Sequence, residues 1–432
     1  MLNLKEKLTK NDIKKLYTCG YTEENTTGIE FERLAIHKDN YKAVDYYDGV
    51  GNFLREFAKS ENWDYITDDY NIIGLKQDHD TITLEPGCQT ELSLKPEKTI
   101  FDLEKKINYL DKLMMPVLDK FGIKLLQYGV QPVSTNKNIN IIPKRRYHIM
   151  ANYLWGIFSD VMMRETAGVQ GCFDFKSEED AMRKFKIANM LSPFVTAMFA
   201  NSPIRGGVET GYKTFRGLAW LYTDDERCGF ACDFNNDMTF DDYIEKVLES
   251  PVIYINKNNE NISVAGKFNF NEFMNNGYEG FDADIKDFEL HANLYFPDVR
   301  LRNFIEIRNH DCTKMPLAVV ALYKGILYNE SAMSDIENLL SSFSKEDFIE
   351  LRYNVVKYAL QTPCKKYFVS DFAKEILNIS QKSLKSMNTG EEVFLEPITE
   401  LTLQELCPAD IILRNWNGIW YKNIDKLAEY LS

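Results

Sequence analysis

The chain has 432 residues, 44% of them hydrophobic and 27% charged, with a net charge of −14. That length and apolar content allow one large domain or about two to three ordinary ones, and the acidic balance argues against nonspecific nucleic-acid binding, which needs basic surfaces. No apolar run is long enough to cross a bilayer, the longest candidate stopping at Lys324, and no secretory signal follows the opening Met-Leu-Asn-Leu-Lys-Glu-Lys, so a cytoplasmic protein acting on small molecules is expected.

In chain order, residues 5–17 read as a short helix, and the turn Thr26-Thr27-Gly28 leads into a strand. Val50, Phe53, Leu54 and Phe57 recur at helical spacing and predict a helix over 47–60. Residues 64–94 alternate and carry turn signals at Asp68-Asp69 and Asp78, predicting antiparallel strands with a hairpin. Residues 98–121 are the strongest early helix, with Gly122 as its stop. A strand follows over 125–128, then an irregular polar segment over 131–146. A helix over 145–160 leads into a strand holding Gln170 and Asp174. Ser177-Glu-Glu-Asp180 resembles a capping box and opens a helix with Met182, Phe185 and Ala188 on one side. Residues 201–212 are loop-like, 241–248 and 270–274 suggest helices, and the strand around Glu306 comes late. After about residue 329 the pattern is mostly helical, with cap-like starts at Ser334-Asp-Ile-Glu337 and Ser344-Lys-Glu-Asp347.

The chemistry is carried by four carboxylate segments: Gly28-Ile-Glu30-Phe-Glu32-Arg33, Leu84-Glu85-Pro-Gly-Cys-Gln89-Thr-Glu91, Val169-Gln170-Gly-Cys-Phe-Asp174 and Phe304-Ile-Glu306-Ile-Arg308. Even spacing puts Glu30 with Glu32, and Glu306 with Arg308, on one strand face. A single such pair usually marks a solvated face, but the pattern recurs, and Arg33, Gln89, Gln170 and Arg308 stand beside the acids. Gathered carboxylates repel unless cations neutralise them. Hard divalent ions carrying nucleotide phosphates do this, because Mg2+ takes oxygen ligands and keeps the phosphates attached. The residues therefore point to an ATP-using enzyme built on an antiparallel sheet. The eight cysteines are scattered, and Cys228 with Cys232 lacks the partners of a zinc site.

In order, Gly28-x-Glu30-x-Glu32, Leu84-Glu85-Pro-Gly-x-Gln89-x-Glu91-Leu-Ser, Val169-Gln170-x-x-x-Asp174-Phe, Arg183-Lys-Phe185, Ala200-Asn201-Ser202-Pro203, Arg216-x-x-x-Trp220, Phe296-Pro-Asp-Val-Arg300-Leu and Glu306-x-Arg308 resemble segments of the glutamate-cysteine ligases of the plant and proteobacterial type. Those are carboxylate-amine ligases related to glutamine synthetase. The resemblance covers about residues 25–330. It implies an α+β, glutamine synthetase-like fold: a curved antiparallel sheet flanked by helices, with residues 1–330 as the catalytic domain and 331–432 as a helical region packed on it. It also implies a reaction in which ATP phosphorylates an acid and the resulting acyl phosphate is attacked by an amine. By the resemblance Glu30, Glu32, Glu91 and Glu306 are Mg2+ ligands, with Glu85 less securely placed because Pro86 and Gly87 interrupt the strand alternation. Arg308 stabilises phosphoryl transfer or pairs with Glu306. Thr166, Gln170, Cys172, Arg216, Trp220 and Arg227 bind the acid and amine substrates, the arginines offering planar forks for carboxylates. Monomer and homodimer remain open.

Two departures bear on substrate choice. Where the family commonly reads Arg-Thr-Cys-Thr-Val-Gln-Val-Asn-Leu-Asp, this chain has Glu165 for the arginine and Cys172 for the asparagine. A related ligase joining a different acid or amine is therefore the alternative, and a guanidino phosphotransferase is a more distant rival. If Glu165 faces the site it favours an amine-bearing group, and alternation places Gln170, Cys172 and Asp174 on one face.

Overall fold

Two-residue alternation puts Ile29 and Phe31 on one side of a strand and Glu30 and Glu32 on the other, and the computed structural model places this strand, β1 (Thr27–His37), inside a nine-stranded sheet. Residues 7–258 and 260–432 are described; the first two residues of the expected opening helix and most of the segment read for a signal lie outside them. On one side of β1, the strands β2 (Asp64–Asp68), β3 (Asn71–Gln77), β4 (Asp80–Leu84) and β5 (Thr90–Glu97) form a meander that returns β5 to β1, as the alternation over 64–94 predicts. Next, β6 (Ile123–Leu126) pairs with the C-terminal end of β1. On the other side lies β7 (Gly168–Phe173), followed outward by β9 (Ile305–Asp311) and the edge strand β8 (Val299–Leu301). Every pairing in this sheet is antiparallel.

Helices border both faces of the sheet. They begin with α1 (Lys10–Thr18), α2 (Gly51–Glu61), α3 (Ile100–Lys120), α4 (Arg145–Tyr153), α5 (Ser159–Glu165), α6 (Glu178–Met198) and α7 (Phe215–Leu221). Helix α6 packs on β9, and the helix Pro316–Leu327 packs on β7 and β1, burying Ile29, Phe31, Phe173, Ile305 and Ile307. The C-terminal helices join this layer: Val369–Met387 packs on Pro316–Leu327, and Arg352 holds Asp298 through two hydrogen bonds of 2.8 and 2.9 Å. Among the described residues no helix is long and apolar enough to cross a membrane.

Several elements differ from the sequence expectation for local reasons. The helix expected over 145–160 is two, because Gly156 is drawn against the backbone of another segment; a Cβ there would lie 2.1 Å from the Thr223 oxygen and 2.4 Å from that of Tyr222. The strand expected over 125–128 is shifted to Ile123–Leu126, since Gln127 N donates to Leu431 O at 2.8 Å. Asp174 falls just outside β7, where its carboxylate accepts from Thr26 N and Oγ1, both at 2.7 Å. Ser334 lies within the helix Glu330–Leu339, which Asn329 caps, whereas Ser344 and Asp347 form the expected capping box.

Candidate active site

The polar sheet face forms the floor of a cavity of about 310 Å3. Cross-strand register decides which acids meet there. Glu32 on β1 stands opposite Glu91 on β5, which stands opposite Thr83 on β4. One step along, Glu30 lies between Ser93 and Gln170. One step further, Gly28, Cys172, Glu306 and Arg300 follow one another across β1, β7, β9 and β8. Like charges directly opposite on a sheet are destabilising, so this floor needs compensation.

The compensation differs along it. Glu91 Oε1 accepts from Thr83 Oγ1 and Ser93 Oγ, both at 2.9 Å, and Glu32 accepts from Gly168 N and from Gln170 Nε2 at 3.2 Å. Glu30 has no hydrogen-bond partner among the described residues. Burial, reinforced by Glu91 and Glu306, pushes Glu30 up to about 8. Burial with Glu85 and Glu32 pushes Glu91 up to about 8, and burial raises Glu32 to about 7 against the opposing charge of Arg216. For Glu306 burial acts the same way, but Arg300 and Arg308 prevail and hold it down at about 2. Arg300 grips both Glu306 oxygens, Nη2 at 2.9 Å from Oε1, and Arg308 Nη1 adds a contact of 3.2 Å.

Arg308 sits where the β7–β9 register slips between Ile307 and His310, a bulge that re-aims the side chain. Its backbone N–H leaves the ladder and donates to Asp298 O at 2.9 Å, while Nη1 donates to Gln170 Oε1 at 2.8 Å. Trp220 on α7 lies under two guanidiniums, those of Arg216 and Arg308, each 5.9 Å from its ring. Arg216 reaches the floor because residue 168 is glycine: a Cβ there would lie 2.4 Å from Arg216 Nη2. That nitrogen donates to Arg308 O at 2.9 Å, and Arg216 Nε and Nη1 are buried without partners, two donors aimed at nothing in the protein. Thr166 lines the wall, its hydroxyl donating to Met162 O at 2.6 Å.

Glu30, Glu32, Glu85, Glu91, Thr166, Gln170, Arg216, Trp220 and Arg308 all line the cavity. Other expected residues are placed elsewhere. Glu306 shares the face, but its oxygens are occupied by arginines, which leaves it poorly suited to ligate a metal and well suited to position Arg308. Cys172 shares the face too, yet its row lies beside the cavity lining, between Gly28 and Glu306. Arg227 is not brought to the site: fully buried, it donates to Asp224 at 3.1 Å, to Leu294 O at 3.1 Å and to Pro251 O. Arg33 points to the opposite face and pairs with Asp111 at 2.6 Å. Gln89 does line the cavity, tying the β4–β5 loop to its wall with Nε2 2.8 Å from Thr166 O. Glu165 is buried and held by Arg205 and Asn136 N, so it makes no charge available to a substrate.

Sequence reasoning missed Arg146, Tyr147, Asn293 and Arg302, which also line the cavity. No spacing rule marked Arg146 and Tyr147, which arrive on α4 from outside the sheet. Tyr147 Oη lies 3.3 Å from Glu85. Among the described residues no three His, Cys, Asp or Glu side chains form a ready metal cage. The donor set fits Mg2+ all the same, since that ion usually takes one or two carboxylates and completes its shell with water and phosphate. The unpartnered Glu30 and the raised acids around it leave carboxylate oxygens that such an ion could take up.

Comparison with known proteins agrees with this geometry. A family model described as "Glutamate-cysteine ligase family 2(GCS2)" matches residues 26–429. The chloroplastic glutamate–cysteine ligase B of Oryza sativa subsp. japonica is 32% identical over 441 residues, covering 100% of this chain and 88% of the relative. The chloroplastic enzyme of Nicotiana tabacum is 31% identical, covering 99% and 83%. Among solved structures, the glutamate–cysteine ligase of Francisella tularensis in complex with AMP aligns with TM-score 0.59 at 13% identity, over 95% of this chain and 90% of that one. At that identity the likeness speaks for the α+β fold.

Proposed function

The chain belongs to glutamate-cysteine ligase family 2, and we propose that it joins the γ-carboxylate of glutamate to the amine of cysteine, consuming ATP through an acyl phosphate. One observation carries the reading: a single cavity brings four glutamates together with two stacked arginines, one of them with two unused buried donors. Phosphoryl transfer asks for that pairing, a place for the cation of the nucleotide and a fork for the charge that develops on the phosphoryl oxygens.

Glu30, Glu32, Glu85 and Glu91 would hold Mg2+, which when bound supplies charge neutralisation for the phosphates. Arg308, fixed by Gln170, Glu306 and the Asp298 carbonyl, faces the transferring group. Arg216 offers an unpaired guanidinium donor to a carboxylate of the acid substrate, and the Trp220 ring keeps the two guanidiniums in register. Thr166 and Gln170 shape the wall around the reacting acid. Met150, Met162 and Met163 line the same cavity and exclude water, which would otherwise hydrolyse an acyl phosphate. Residues 1–330 hold this chemistry and 331–432 buttress it. The protein acts as a monomer or homodimer, in the cytoplasm, whereas the relatives named above are chloroplastic.

The alternative, a different acid or amine, loses one of its two supports because Glu165 is consumed by Arg205. The decisive experiment measures amine-dependent ADP release with mass identification of the product. Formation of γ-glutamylcysteine with glutamate and cysteine is expected; ADP release without that amide, or with another amine strongly preferred, would overturn the assignment.

A further inference from the structure

Arg308 and Asn309 stand together opposite one residue of β7, Gln170, because the register passes from Ile307–Gly171 straight to His310–Val169. A bulge of this kind takes backbone groups out of the ladder, and its direction depends on what receives them. Two outside contacts hold it. Asn309 Nδ2 donates to Ser192 O at 2.9 Å and to Thr196 Oγ1 at 2.6 Å on α6, and the Arg308 N–H donates to Asp298 O at 2.9 Å just ahead of β8. Asp298 is itself fixed from three directions. Its N–H donates to Gly229 O at 2.8 Å, its carboxylate accepts from Ser192 Oγ at 3.2 Å, and Arg352, on the helix Lys345–Tyr358, spans both carboxylate oxygens at 2.8 and 2.9 Å. Only 14% of the Arg352 side chain and 11% of that of Asp298 are exposed. A bidentate pair sheltered in this way fixes orientation as well as distance.

Docking alone does not call for this pair. Residues 331–432 are tied to the body elsewhere, by Glu391 accepting from Lys324 Nζ at 2.8 Å with both side chains buried, and by the packing of Val369–Met387 on Pro316–Leu327. At Arg308 the pair does matter. A water-sized cavity of about 30 Å3 is lined by Arg216 and Arg308 on one side and by Asp298 and Arg352 on the other. Arg308 is therefore not packed solid there, and its direction is inherited from its backbone: Gln170 and Glu306 hold the tip of the guanidinium, and Asp298 holds the base of the residue. We propose that Arg352 is a positioning residue for the transfer step, holding through Asp298 the bulge that aims Arg308 at the transferring phosphoryl group. This inference rests on the ligase reading and adds to it a part for the C-terminal helical region in turnover as well as in stability.

A double-variant cycle on the full chain tests this, reading ADP release and γ-glutamylcysteine formation with ATP, Mg2+, glutamate and cysteine, and thermal unfolding alongside. Arg352→Met is expected to lower kcat about 30-fold with the KM values for ATP and glutamate within about twofold, since misplacing a group that acts in the transition state costs turnover more than binding. Arg352→Lys, which keeps the charge but cannot span both oxygens, should lose about fivefold. In the Arg308→Lys background Arg352→Met should cost less than about threefold, because the fork it positions is already gone. Ile376→Ala loosens the C-terminal region at a buried residue of the helix Val369–Met387 and should leave kcat within about twofold. Where Arg352→Met does not fold, Arg352→Lys completes the same cycle. Unchanged kcat in the folded Arg352 variants, equal fold losses with and without Arg308, or an Ile376→Ala loss as large as that at Arg352 would overturn the proposal. A wild-type ligase whose turnover ignores Arg352 would sink this inference alone; ADP release that depends jointly on Arg352 and Arg308 but yields no amide would sink the ligase reading alone.

Discussion

Glu30, Glu32 and Glu91 on the one hand and Glu306 on the other are the same side chain on the same sheet face, and Glu306 is the most deeply buried of them. The first three are pushed up to about 8, 7 and 8, whereas Glu306 is held at about 2. The difference lies in their neighbours. On β1 and β5 each acid finds other acids, hydroxyls or amides; on β8 and β9 it finds two guanidiniums. Repulsion left uncompensated in one half and compensated in the other divides the face into a half that a cation would stabilise and a half whose geometry is already set.

The comparison breaks most readily at Glu30, the unpartnered acid. Glu30→Gln is expected to lower kcat about 1,000-fold, several kcal/mol of lost charge stabilisation, and in the absence of metal to raise the melting temperature, because it removes a carboxyl that folding forces to take up a proton. A variant that is both active and no more stable would mean that Glu30 holds no cation. In the preset half, Arg308→Lys keeps a charge but loses the planar fork, so kcat is expected to fall about 100-fold with little change in ATP affinity. Weakened ATP binding at unchanged kcat would move Arg308 to ground-state binding. Arg300→Met leaves Glu306 buried with half its compensation, a loss of about 3 kcal/mol by denaturant unfolding, and adding Glu306→Leu should recover most of it. No recovery in the double variant would show that Arg300 stabilises the edge strand by some other route.

The two halves should also titrate with opposite sign. Glu306 has its folded value depressed from 4.5, so its contribution to stability is present above about pH 4.5 and is lost as the pH falls toward 2. Glu30 and Glu91 have folded values raised from 4.5, so in metal-free protein their favourable contribution is present below pH 4.5 and is lost as the pH rises toward 8. Unfolding free energy measured across this range in EDTA should fall at both ends. Glu306→Gln should flatten only the acid side; flattening of the alkaline side instead would contradict the division. The smallest effect is expected at Cys172, which shares the face but stands beside the lining. Cys172→Asn should leave the ranking of amines by kcat/KM unchanged, and a reordered ranking would bring that row into the substrate pocket.

Much of this was legible in the residues themselves. A side-chain period of two is a local property, so the common face of Glu30 and Glu32, and of Glu306 and Arg308, could be read without knowing what lies across from them. The meander over 64–94 and the helices at 100–120 and 178–198 were legible for the same reason, since hydrophobic period and caps act over a few residues. The ordered motifs carried the family and the reaction class.

What each charged group faces is nonlocal, and only the tertiary structure decided it. The motif holding Arg216 and Trp220 marked both as substrate contacts, but not that Gly168 would clear the space in which Arg216 lies. Glu165 read as a candidate for substrate charge until Arg205, forty residues on, took both its oxygens, and Arg227 read as a carboxylate fork until burial gave it backbone carbonyls. Glu306 read like the other acids until β8 brought Arg300 opposite it. Sequence pattern determines which side of an element a group occupies; register, burial and the arrival of distant segments determine its partner, and the partner sets whether a carboxylate holds a proton, an arginine or a metal ion.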